Sequence, residues 1–315
     1  GRVMCRKHRI FLFTIWRIRE WQLSVPSVRK MLPENPRKKN KNRISGDIKR
    51  DATGISFLLE KDGEAVEEKK ISVSLHENES YIRKRCENCD DILIRPMRLG
   101  EGHKVDCLMV YIEVAVSNMM LDDSAIGKMI NHFWEIPEEK IREFIRRNSL
   151  GIADVEELFS MEEVFGAVLS GNAVFFMDGY DRAMKISSKG YPGLDVSEAE
   201  TEKVLRGSKE GFCDSVKTNA ALVRKRIRDT RLKVEQQNIG VRSNTVVQLL
   251  YVEDLVHEEL LIAVKERLES FTVDGILDSG MLEQLTEEAW YSPFPQFQTT
   301  ERPDRAAQEL LNGKA

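Results

Sequence analysis

Cys86 and Cys89 are spaced as C-x-x-C, the arrangement that opens many zinc sites and redox pairs. A tetrahedral zinc needs four ligands, and no second C-x-x-C or H-x-x-x-H completes the set. The five histidines, at positions 8, 76, 103, 132 and 257, are scattered; His257 is followed by Glu258 and Glu259, but no histidine stands at 261 to make a zincin helix. G-x-S-x-G, G-x-G-x-x-G and Walker A patterns are all missing, so no nucleophile elbow, dinucleotide turn or phosphate loop is written in the sequence. These absences lead to the expectation of a non-catalytic protein that uses neither a metal nor another cofactor. Cys86 is then read as a buried packing thiol.

Two charged loops have more specific character. Residues 206–212 read RGSKEGF, in which two glycines free the backbone and Arg206, Lys209 and Glu210 can pair with one another or hold a charged ligand. Residues 292–305 read SPFPQFQTTERPDR, with three prolines and the close trio Arg302, Asp304 and Arg305. Thr300 is expected to cap a helix that Pro303 enters in its first turn, where a missing N–H does no harm. Arg206, Glu210, Arg302, Asp304 and Arg305 are therefore the candidate site residues, either as a ligand contact or as a salt-bridged junction that couples two subdomains.

The elements that position these loops follow from hydrophobic periodicity. Residues 80–88 read as the end of a helix, 91–98 and 104–113 as strands, and 123–134 as a helix. Residues 137–147 carry acids first and bases last, the order that suits a helix dipole. Ser160 starts a helix with Glu162 and Glu163 in its first turn, ending at Gly171; residues 173–177 and 182–187 then flank Asp178-Gly179, a hairpin turn signal. Strands and helices interleave throughout, so the fold class is α/β with mixed sheets.

The same series recurs at an offset of 140. The strand MVYIEVAV from Met109 aligns with LLYVEDLV from Leu249, placing Tyr111 over Tyr251 and Glu113 over Glu253. The hairpins before them align too, with Leu99 and Gly100 over Ile239 and Gly240. One residue of slippage puts IRKR from Ile82 over VRKR from Val223, and Cys86 over the apolar Ile227. A helix follows each second strand, at 123–134 and at 258–271. The expectation is two related mixed α/β subdomains, each a helix-strand-strand-helix unit.

Charge separates this body from what precedes it. Of 315 residues with a net charge of −4, the first 50 hold 15 lysines and arginines against Glu20, Glu34 and Asp47, a net +12, which leaves −16 on the rest. Residues 1–70 are expected to be a basic arm and solvated linker, largely disordered. The arm invites an alternative function, binding of nucleic acid or of an anionic membrane surface, with Phe11, Phe13, Trp16 and Trp21 available for an interface. Five cysteines at 5, 86, 89, 107 and 213 form no disulfide framework and favour a reducing compartment. The expected division is 1–70 for the arm, 71–158 and 159–299 for the subdomains, and 300–315 for a terminal junction.

Several ordered motifs then point to a family. LSGNAVFFMDG from Leu169, RGSKEGF from Arg206, TNAALVRKRIRD from Thr218, the strand around Tyr251, VDGILDSG from Val273, SPFPQ from Ser292 and TERPDR from Thr300 together resemble the A subunits of bacterial spore-germination nutrient receptors. The resemblance covers roughly residues 75–315. It implies a hydrophilic N-terminal domain of two α/β subdomains, assembly with receptor B and C subunits, and a response to an amino acid, sugar or nucleoside, with no nucleic-acid partner. It also implies a place in the spore inner membrane for the full-length receptor, where relatives continue past the equivalent of Leu311-Asn312-Gly313 into a strand and then transmembrane helices. The stretch in hand would then be soluble on the cytoplasmic side. The basic first 50 residues match nothing in that resemblance.

Overall fold

The structure, a computed structural model, describes residues 13–16, 69–99, 105–114, 155–186, 191, 198–199, 201–287, 291 and 297–315. Helix α1 (Leu75–Arg85) has Glu77 in its first turn and Arg83, Lys84 and Arg85 in its last, matching the helix dipole at both ends. It leads into the hairpin β2 (Ile92–Leu99) and β3 (Val105–Ile112), paired antiparallel from Ile92↔Ile112 to Leu99↔Val105. Strand β4 (Val155–Leu158) is followed by α2 (Met161–Leu169), whose start is a full capping box: Ser160 accepts from the Glu163 amide while Glu163 accepts from the Ser160 amide. The strands β5 (Ala173–Met177) and β6 (Ala183–Ile186) complete a five-stranded antiparallel sheet in the order β2-β3-β5-β6-β4. Gly179, at φ 80°, makes the turn between β5 and β6 that Asp178-Gly179 predicted.

Strand β5 is buried along its whole length, the pattern of a strand with a neighbour on each side and cover on each face. Ile82, Leu108, Met161, Val164 and Phe176 are almost wholly removed from water and join helices to sheet. Each such side chain contributes about 1.5–3 kcal/mol on burial.

The second unit repeats the plan. Helix α3 (Val216–Arg224) precedes β7 (Leu232–Ile239) and β8 (Thr245–Val252), then α4 (Glu258–Glu269), α5 (Ser279–Thr286), β9 (Phe297–Thr300) and α6 (Pro303–Leu311). The two hairpins correspond residue for residue at the expected offset of 140, down to their terminal pairs Leu232↔Val252 and Ile239↔Thr245. One face of β7–β8 packs on α3 and α6 through Leu222, Val223, Leu250 and Leu310; the other packs on α4 through Leu249, Tyr251, Leu260 and Val264. Cys86 and Ile227, aligned by the repeat, are both buried. The expected helices at 123–134 and 137–147 lie outside the described residues.

Three expectations need correction. The boundary placed at 158/159 falls inside the first sheet, because β5 and β6 lie between β3 and β4 and continue its hydrogen bonding to Ile186. Thr300 does not cap α6. The N-cap is Arg302, whose amide donates to Thr300 Oγ1 at 3.1 Å, while Thr300 Oγ1 itself donates to Glu202. Within the arm expected to be disordered, Phe13–Trp16 form a strand, β1, antiparallel to β9 from Phe13↔Thr300 to Trp16↔Phe297. The sequence Phe-Thr-Ile-Trp has high strand propensity, and the edge of β9 offers it backbone partners. The remaining residues of 1–68 lie outside the described residues.

Candidate functional site

The two units meet where the turn after α1 lies along the outer edge of β7. The Asp90 amide donates to Val234 O at 2.9 Å, and the Val234 amide donates to Asn88 O at 2.9 Å, so Cys89 and Val234 form a short parallel bridge. The Gln236 amide donates to Asp90 Oδ2 at 2.6 Å, and Lys233 Nζ donates to Glu87 O at 2.9 Å. Asn88 takes φ 59° to present its carbonyl, a left-handed conformation that asparagine accepts more readily than most residues.

Beneath this backbone pairing lies an ion pair. Arg224 is fully buried and its guanidinium grips Asp91 through two bonds, Nε to Oδ2 and Nη2 to Oδ1, both 2.8 Å. A third donor, Nη1, reaches Asp229 O at 2.8 Å. Burial alone would push the guanidinium pKa down, but the charge and hydrogen bonds of Asp91 outweigh it and push it up. Cys89 Sγ lies 3.6 Å from Leu232 O and 3.7 Å from Thr230 O. The C-x-x-C pair thus sits inside the junction as packing.

Burial, then the neighbouring Cys89, push the Cys86 thiol up to about 12; burial raises that of Cys89 as well. A thiolate is the form that binds metal or attacks a disulfide, so neither cysteine is poised for either task. No cluster of three metal-ligating side chains occurs among the described residues. On the native protein at about pH 8, alkylating reagents should modify the partly exposed Cys213 and leave Cys86 and Cys89 unmodified. Mass mapping after a timed pulse reads this out, and rapid labelling of Cys86 would contradict the buried junction.

Four of the five candidate residues, Glu210, Arg302, Asp304 and Arg305, are paired elsewhere, within the second unit. Glu210 accepts from Lys225 Nζ at 2.8 Å and Arg226 Nη2 at 2.6 Å, which ties the 206–212 loop to the end of α3. Arg302 pairs with Asp304 through bonds of 2.5 and 3.1 Å. Arg305 Nη1 reaches Glu202 at 2.9 Å, and Glu202 also accepts from Thr300. The amides of Thr201 and Phe212 bond to Glu301, so the 201–212 segment and the start of α6 are held together. Arg206 is exposed and has no ion pair among the described residues. The expectation that Arg302 and Arg305 couple the two subdomains is not met among their described contacts; Arg224 and Asp91 make that connection instead.

Arg224 was legible in principle. Ala220, Val223, Arg224 and Ile227 recur at helical spacing, so a cation stands on the apolar face of α3, and such a residue needs a buried partner. Its position in the repeat hides the partner, because the counterpart Arg83 is exposed and pairs with Glu79 one turn away.

Glu210, Asp229 and Asp304 share one electrostatic pattern. Burial pushes each carboxyl up, and the bonded cations, Lys225 with Arg226, Arg231, and Arg302 respectively, more than offset it. A carboxylate depressed in the folded state adds stability that is complete above its unfolded pKa and lost as pH falls through the folded one. Urea midpoints are therefore expected to hold down to about pH 5 and to fall below about pH 4. Glu210→Gln should lessen that fall, and an unchanged acid profile would remove Glu210 from the account.

A cleft of about 200 Å³ lies in the second unit along the outer edge of β8, lined by Val247 to Leu250, with Phe212 and Asn219 on one side and Leu282 on the other. Among the described residues no helix is long and apolar enough to cross a membrane. The nucleic-acid or membrane-surface alternative rests on the arm, which lies outside the described residues except for Phe13–Trp16.

Two repeated α/β units joined through a buried ion pair are the architecture that the comparison with known proteins has to match. The fold is similar to the crystal structure of the N-terminal domain of the A subunit of the Bacillus megaterium spore germinant receptor GerK3, with TM-score 0.59 and 26% identity, covering 78% of this chain and 91% of that one. The family described as Bacillus/Clostridium GerA spore germination protein matches residues 80–315, and the chain belongs to it. Similar relatives include the uncharacterized membrane protein YfkQ of Bacillus subtilis strain 168, 35% identical over 82% of this chain and 50% of that protein. Spore germination protein KA of the same strain is 32% identical over 78% of this chain and 45% of that protein. The chain spans about half the length of the curated relatives it matches.

Proposed function

We propose that this chain is the extramembrane module of a spore-germination receptor A subunit, working at the spore inner membrane with B and C subunits. In this reading it is non-catalytic, and it relays germinant binding to the membrane part of the receptor. The observation that carries the reading is the junction. Backbone bonds from Asn88 and Asp90 to β7, with Arg224 on Asp91 beneath them, make the two units respond as one body. A module built to close around a nutrient needs a hinge that opens at low cost, whereas this junction must break a buried charge pair to open. The germinant is an amino acid, a sugar or a nucleoside, and binding elsewhere in the receptor reaches the membrane through this body by a shift of population between states.

The test is made in spores that carry the full-length gene. Deletion should slow the fall in optical density that follows addition of at least one of those three nutrient classes. An Asp91→Ala allele should do the same while B and C subunits still co-purify with the A subunit. Unaltered germination in the deletion strain with all three classes, or an A subunit that co-purifies with no B or C subunit, would sink the proposal.

A further inference from the structure

Residues 201–212 are pinned at both ends. Glu198 and Glu210 pair through an antiparallel backbone bridge, and the amides of Thr201 and Phe212 donate to Glu301 at 3.0 and 2.8 Å. Between these fixings the side chains sort by charge. The acids turn inward: Glu202 accepts from Thr300 and Arg305, and Glu210 accepts from Lys225 and Arg226. Ser208 faces the same way and accepts from Arg226 Nη2 at 3.0 Å. Lys203, Leu205, Arg206 and Lys209 are exposed instead. Both acids of residues 201–210 are thus matched by cations of the body, whereas the three cations of the same stretch stand in water.

Lys203 and Arg206 have no ion pair among the described residues. Lys209 has a 3.8 Å contact with Glu198 in which both side chains are 69% exposed, a geometry that water screens almost completely. Leu205 is fully exposed between these cations. A single exposed leucine is ordinary; one flanked by three cations, with every nearby acid withdrawn, has the composition that settles at the boundary between lipid headgroups and acyl chains. Gly207 takes φ 132°, a conformation open to few other residues, so the turn directly after Arg206 is built into the backbone. A nucleic-acid surface would call for aromatic rings on which bases stack, and residues 201–210 contain none. The anchors of protein interfaces are aromatic or arginine, with leucine under-represented.

We propose that Lys203, Leu205, Arg206 and Lys209 form a contact site for an anionic phospholipid bilayer, with Leu205 entering the headgroup boundary and the three cations on lipid phosphates. Arginine suits that role because its guanidinium meets a phosphate through two parallel bonds. The site lies in the second unit and is separate from the basic first 50 residues; it sets which face of this unit turns toward the membrane. It rests on the function proposed above, which puts a bilayer within reach. A chain anchored there needs only weak affinity, because tethering raises the effective concentration of the surface.

The test mixes the full chain with saturating vesicles of equal parts phosphatidylglycerol and phosphatidylcholine, or of phosphatidylcholine alone. Hydrogen exchange of the 203–209 amides should slow by about threefold or more on the anionic vesicles and stay unchanged on the neutral ones. Added salt should restore the free rate, since exposed charges are screened. Reading the loop directly keeps the result independent of any hold that the basic arm has on the vesicles. Leu205→Ser, and separately Lys203→Gln with Arg206→Gln, should abolish the protection while the Thr201 and Phe212 amides exchange in solution as before, which shows the loop still folded. Unchanged exchange at 203–209 on anionic vesicles overturns the proposal, as does equal protection by both vesicle types. Protection by a DNA duplex with none by vesicles would make this a nucleic-acid surface and overturn it too, and protection that survives both variants would remove these side chains from the contact. Spores of the deletion strain that germinate normally would sink the receptor reading and leave the vesicle result standing, so the two failures are distinguishable.

Discussion

Replacing Asp91 by alanine is expected to destabilise the folded body by about 3–5 kcal/mol, the range for removing one partner of a buried ion pair. The size follows from what is left behind. Arg224 is fully buried, keeps its charge at any accessible pH, and would retain only the Asp229 carbonyl among its present oxygen partners. Water cannot reach it without opening the turn over Cys86 and Cys89. Arg224→Ala should cost a similar amount, because the Asp91 carboxylate is buried as well. Replacing both together, Asp91→Leu with Arg224→Met, should recover most of the loss, since a packed apolar pair has no desolvation to offset. Urea unfolding of the three variants measures this. A double variant as unstable as the singles would show that the pair contributes more than charge matching. Exchange of the Asp90 and Val234 amides reports separately whether the units have parted: it should accelerate in the single variants.

Gly313→Ala is expected to cost about 2–4 kcal/mol, from two sources that add. The backbone at φ 83° is left-handed, where a Cβ is strained in any surroundings. That Cβ would also stand 2.4 Å from Leu255 O, a backbone atom that cannot rotate aside. Gly240 provides the control. It is left-handed too, at φ 93°, and its nearest obstacle, at 2.4 Å, is the Ser243 hydroxyl, which has a side-chain torsion to turn; Gly275 Cα follows at 3.1 Å. Thermal unfolding should therefore place Gly313→Ala below Gly240→Ala. The reverse order would mean that the end of α6 moves away freely, and that the path of Lys314 and Ala315 is not fixed.

The repeat was readable in the sequence because strand alternation and the Leu-Gly and Ile-Gly hairpin signals survive in both copies at one spacing. What could not be read was where the copies differ. Arg83 and Arg224 align, yet one lies on a solvated helix face and the other inside a junction, because only α3 is covered by the turn from the other unit. Glu210, Arg302, Asp304 and Arg305 are pairing groups as expected, but composition does not say with whom: Glu202 lies outside the quoted motifs, and Glu301, inside TERPDR, is not marked there as a partner. The subdomain boundary was misplaced because sequence order suggests a break at Phe159, whereas β5 returns to the centre of the earlier sheet. A strand's neighbours are set by its edges, and edges are not written in local patterning.

The junction joins residues far apart along the chain, Asp91 to Arg224 and Asp90 to Gln236, whereas α5 and the β7–β8 hairpin close over short segments. Contacts of such long sequence separation carry a large loop-closure cost and are made late in folding. The β2–β3 hairpin can therefore take shape while β7 and β8 are still being synthesised. The C-x-x-C turn can settle on β7 only once α3 has formed and Arg224 is present. Until then Asp91 lacks its cation and the Cys89 thiol lacks the Thr230 and Leu232 carbonyls beside it, so the accessibility of that thiol would report whether this late step of maturation has been taken.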